Sequence, residues 1–163
     1  MDALTKTAHI SPCGTYRYNL TRDWGEGLGR VCWIMLNPST ADADVDDPTI
    51  RRCIGFTERW GYGGMEVVNL YALRATNPEE LKNHPDPIPL MTGLSEVARA
   101  VGRCDLTICA WGVHGGHKNR GPAAARILRT PGNLLYTLRL TKDGHPAHPL
   151  YLPSHLKPFV WEP

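Results

Sequence analysis

Four apolar runs, spaced along the chain and separated by helical patterns, constrain this fold more than any other feature of the sequence. They are VCWIML (31–36), MEVVNLYAL (65–73), DLTICAWG (105–112) and NLLYTLRL (133–140). Runs without polar alternation suit strands buried on both faces, as in a parallel sheet. Between the first two, Asp47 followed by Pro48 predicts a helix start, with the carboxylate as N-cap and proline at the first helical position. That helix runs through TIRRCIGFTERW and stops at Gly61. LSEVARAVGR (94–103) is helical by period, and a glycine-rich turn leads into a helix near PAAARILR (122–129). Strand and helix therefore alternate, which predicts an α/β three-layer sandwich around a four-stranded, mainly parallel sheet.

Smaller features fill the gaps. YRYNL (16–20) reads as a short strand, followed by a turn through Gly25, Gly27 and Gly29. Pro78, Pro85, Pro87 and Pro89 make 77–90 a long ordered loop, or a short helix with a loop. With 163 residues, 42% of them apolar, the chain is read as a single domain, its core about 16–152 and its C-terminal tail 153–163.

Charge and cysteine usage limit the function classes. A net charge of +2 excludes a global polyelectrolyte partner for DNA, although Arg51, Arg52, Arg59, Lys118, Arg120, Arg126 and Arg129 leave a local basic face open. The five cysteines form no C-x-x-C pair, and Cys32 and Cys109 lie inside apolar runs, so buried thiols in a cytoplasmic protein are expected. No signal peptide is expected, and no apolar run approaches the roughly 20 residues of a membrane span.

In an open α/β sheet the ligand site lies beyond the carboxyl ends of the strands, where strand order reverses. Three chemically unusual segments fall there: NPST (37–40), VVNLYALRAT (67–76) and AWGVHGGHKNRG (110–121). HPAHPLYLP (145–153) is delivered to the same edge by the fourth strand.

The string IMLNPSTADADVDDPTIRRC, with WGYGG, VVNLYALRAT, AWG and HPLYL after it, resembles a bacterial and phage family catalogued as domain of unknown function 1643. The likeness spans Tyr16 to Leu152 and implies no activity by itself. The same segments, in the same order, are more distantly similar to the motifs of the uracil-DNA glycosylase superfamily. That likeness implies a glycosylase-like fold and a DNA glycosylase-like activity on a uracil-like or modified base. It places Asn37, from IMLNPS, where the attacking water is positioned, and Asn69, from VVNL, where the base is read. Trp111 and Gly112 match a Trp-Gly pair, and Tyr71 joins the base-binding set. HPLYL offers His148 to hold the leaving base and Leu150 or Leu152 as a wedge, but lacks the serine of the family motif. Ser39 stands where uracil-specific members carry a tyrosine, which implies room for a base with a substituent.

Each residue also has a plainer reading. Asn37 caps the turn after the first strand, since Asn-Pro is ordinary turn chemistry. Asn69 bonds backbone at a strand end, His148 is merely exposed, and Leu150 belongs to the core. An asparagine orients water but is no general base, so slow catalysis is expected. Arg51, Arg74, His114, Lys118 and Arg120 are the candidates for nucleic-acid backbone contacts, His114, His117 and Lys118 through a phosphate nest. Asp42, Asp44, Asp46 and Asp47 lack the spacing of a calcium loop and are read as a solvated turn whose last member caps a helix. No metal or cofactor is implied by the leading reading, and the partner is DNA, another nucleic acid or a nucleotide. The alternatives are a non-catalytic module that binds a modified base or nucleotide, and a magnesium-dependent nucleotide phosphohydrolase using the Asp42–Asp47 loop.

Overall fold

The structure is a computed structural model that describes residues 4–88 and 93–163. Pro89 of the proline-rich stretch lies outside the described residues. All four apolar runs form strands: β3 (Arg30–Met35), β4 (Gly64–Asn69), β5 (Leu106–Cys109) and the short β6 (Tyr136–Thr137). They pair in parallel, with β3 between β4 and β5 and β6 beyond β5. The sheet is wider and more mixed than four strands, however, with seven among the described residues in the order β1-β2-β4-β3-β5-β6-β7. β1 (Thr5–Ile10) and β2 (Arg17–Asp23) add antiparallel to one side, and β7 (Phe159–Val160) adds antiparallel to the other. Residues 153–163 are therefore more than a tail. They supply β7, and Trp161 packs edge-on to Trp111 with ring centres 5.7 Å apart.

Alternate residues of the buried strands feed two cores. Val31, Trp33, Met65, Val67 and Ile108 pack with Ile50, Cys53 and Phe56 of α1 (Pro48–Arg59). On the opposite face, Cys32, Ile34, Val68 and Cys109 pack with α3 (Gly93–Arg103) and α4 (Arg120–Leu128). α1 starts as its sequence dictates: Asp47 accepts from the Ile50 N–H at 2.8 Å, and Gly61 ends it at φ +86°. α2 (Glu80–Asn83) is the short helix of the proline-rich loop. All five cysteines are free thiols. Among the described residues no helix is long and apolar enough to cross a membrane.

Strand order sets where a ligand can enter. The chain leaves β3 toward α1 on one face and β5 toward α4 on the other, so the two loops part above adjacent strands. Divergent loops of this kind leave a crevice at the carboxyl ends of the strands.

Candidate functional site

A cavity of about 440 Å³ fills that crevice. Its wall brings together Asn37 and Ser39 after β3, Asn69 at the end of β4, Trp111, Gly112 and His114 after β5, and His148 and Leu150 from the C-terminal segment. Four segments scattered from residue 37 to residue 150 thus meet in one place.

Asn37 is lashed between loops. Its Nδ2 donates to the Ala75 carbonyl at 2.8 Å and to the Pro38 carbonyl at 3.0 Å. The side chain continues the β3–β4 ladder past its end, where the Tyr71 N–H donates to the Leu36 carbonyl and the Ala75 N–H to the Pro38 carbonyl. With both amide hydrogens engaged, the carbonyl oxygen is the part of Asn37 left to meet a ligand or water.

Asn69 is the opposite case. It is only 7% exposed, and both its amide nitrogen and its amide oxygen are buried without a hydrogen-bond partner among the described residues. Buried amides are almost always satisfied, and an orphaned one costs about 1–3 kcal/mol. The Trp111 indole N–H is likewise buried and unpartnered.

His148 stands on the cavity rim, exposed by area but crowded by protein. Desolvation lowers its pKa below the ordinary histidine value, and the Asp47 carboxylate opposes that shift. Its Nδ1 accepts from the Leu150 N–H at 3.2 Å, so the neutral ring carries its proton on Nε2 as a donor. Tyr151 beside it is 92% exposed.

The other sequence candidates lie apart from the cavity or serve the fold. Tyr71 belongs to the core on the α3–α4 face, where its hydroxyl donates to the His117 carbonyl at 3.2 Å. Arg120 donates to the Leu70 carbonyl and sits 6.0 Å from the Tyr71 ring centre. Arg74 binds the Ser39, Gly14 and Thr40 carbonyls, and Arg51 binds the Asp46 carbonyl. Lys118 is exposed in a left-handed conformation at φ +49°.

The acidic loop is occupied by its own structure. Asp42 accepts the Asp44 and Val45 N–H groups, which hold its carboxyl below the usual range. Asp46 pairs with Arg22 at 2.7 Å and Lys6 at 3.1 Å, while Asp47 caps α1. Among the described residues no three His, Cys, Asp or Glu side chains are grouped to hold a metal ion.

One cavity residue carries no sequence signal. Arg17 on β2 lines the wall at 2% exposure, and its Nε is buried without a partner. It precedes the recognisable motifs and sits among ordinary strand residues, so only the folded chain reveals it.

The family model described as "Protein of unknown function (DUF1643)" matches residues 17–150. The chain belongs to this family. The matched span includes every residue of the cavity wall named above, from Arg17 to Leu150. Comparison with curated proteins and with solved structures returned no match.

Proposed function

We propose that this member of the family takes a nucleobase into the cavity and hydrolyses the N-glycosidic bond of a uracil-like or modified base in nucleic acid. The observation that carries this reading is the Asn69 amide, whose nitrogen and oxygen offer unmet donor and acceptor capacity on the cavity wall. A base edge presents the complementary pair, and an enzyme acting on a base must read it out of the stack. From the end of the neighbouring strand, the Asn37 carbonyl holds the water beneath the sugar. His148 Nε2–H donates to the departing base, whose developing charge is the main obstacle to cleavage. Ser39 leaves space for a substituent, and the exposed Tyr151 suits stacking on a flanking base.

A second reading has its own support. Asp47 is the acid on the cavity wall, and its carboxylate is engaged as the cap of α1, while the Asn37 amide is tied to backbone. With that carboxylate engaged, the wall favours a module that binds a modified base without cutting it. The phosphohydrolase reading is weakened by the commitments of Asp42, Asp46 and Asp47.

Metal-free incubation with oligonucleotides carrying uracil, hypoxanthine and 5-substituted pyrimidines tests the proposal. Strand breaks after mild alkali are expected for at least one base and lost in Asn37→Ala, with folding checked by circular dichroism. Binding that survives in Asn37→Ala without any strand break in the parent supports the second reading. Turnover that appears only with magnesium points to the phosphohydrolase.

A further inference from the structure

β2 carries two buried arginines in contrasting states. Arg22 is 0% exposed and fully engaged: its Nε pairs with Asp46 at 2.7 Å, and its other nitrogens donate to the Thr21 and Asp42 carbonyls at 2.8 and 2.6 Å. Arg17 is almost as deeply buried, yet among the described residues its guanidinium makes a single hydrogen bond, Nη1 to the Ala41 carbonyl at 3.0 Å. No carboxylate pairs with it among the described residues, and its Nε is orphaned. Burial lowers its pKa to about 10, against the pull of nearby Asp47. It therefore stays charged at neutral pH, and a buried charge without a paired carboxylate is costly to a fold.

We infer that Arg17 and Asn69 form an oxyanion subsite on the inner wall of the cavity, which takes a planar carboxylate borne by the ligand. Ala41 occupies Nη1, leaving the Nε–Nη2 edge, whose two parallel N–H groups match a carboxylate in bidentate fashion. Asn69 shares the same cavity wall and adds a further unmet donor. One unpaired guanidinium balances one negative charge. The neutral His148 and the Asp47 carboxylate on the same cavity disfavour a dianion, so a carboxylate fits better than a phosphate. The inference concerns what the pocket holds, and stands whether or not a glycosidic bond is cut.

Binding of pyridine-3-carboxylate, its neutral carboxamide and inorganic phosphate to the full chain, followed by calorimetry and thermal shift, tests it. The acid is expected to bind at least about tenfold tighter than the amide, the difference a charge-assisted pair makes. Arg17→Lys keeps the charge but not the fork, and is expected to erase most of that preference. Asn69→Asp puts a carboxylate on the same wall, so it should raise the melting temperature of the ligand-free protein and abolish acid binding. Equal binding of acid and amide, no acid binding at millimolar concentration, or acid binding unchanged in Asn69→Asp would each overturn the inference. Phosphate binding tighter than the acid would overturn its carboxylate form and assign the subsite to a tetrahedral anion.

Discussion

Gly115 lies so close to the Trp111 indole that a Cβ at position 115 would overlap ring atoms Cδ1, Cγ and Nε1. Gly121 closes on the same ring, where a Cβ would stand 2.6 Å from Nε1 and 2.9 Å from Cε2. The glycines after β5 thus make a slot for an indole that lines the cavity. Gly115→Ala should cost about 1–3 kcal/mol by overpacking, read from urea unfolding. Because Trp111 must shift, ligand affinity should fall in the same variant. An unchanged midpoint with unchanged affinity would show that the slot has slack.

Asn69→Leu is expected to separate stability from function. Removing an orphaned amide lifts its desolvation penalty, so the ligand-free protein should be unchanged or more stable by about 1–2 kcal/mol. Binding or turnover should be lost. A clear loss of stability would instead mean that the amide is satisfied in solution, and its role as a reader would need another basis.

Asp47→Ala removes the cap of α1 and should cost about 1 kcal/mol in chemical denaturation. The same carboxylate supports the His148 charge, so the His148 pKa, already below the usual value, should fall further in this variant. The sign follows from linkage. A histidine whose folded pKa is depressed makes the fold less stable as pH falls through the unfolded value, and Asp47→Ala should steepen that loss. NMR titration of the imidazole reads the pKa, and urea unfolding across pH reads the stability.

Cys13 should react selectively. Its thiol is exposed, and hydrogen bonds from Ser11 and Thr15 lower its pKa to about 7. Alkylation by iodoacetamide should show a midpoint near that pH, moving upward in Ser11→Ala. Cys53 and Cys109, whose thiol pKa values burial pushes well up, should stay unlabelled until the chain unfolds.

Much of the architecture was legible because it depends on short-range chemistry. Uninterrupted apolar runs marked β3, β4 and β5, and the Asp47–Pro48 pair marked the start of α1 where it occurs. Phe159–Val160 carries no strand signal of its own, because a two-residue strand exists only by pairing with β6, a contact that sequence spacing does not announce. β1 alternates between exposed and half-buried residues, so it carries little apolar signal of its own.

The candidate site divides along the same line. Residue order alone set which side chains reach the carboxyl ends of the strands, since Asn37, Asn69, Trp111 and His148 lie late in their apolar runs or beyond them, in chain order. Only the tertiary structure decided how each is used. Asn37 spends its donors on Ala75 and Pro38, Tyr71 turns into the opposite core, and Arg74 and Arg120 clamp backbone carbonyls. Among the described residues, the Arg17 Nε and the Asn69 amide are left without partners on the cavity wall. The reason is physical: residue type sets what a side chain can bond, but whether that capacity is met depends on neighbours the fold brings from far along the chain.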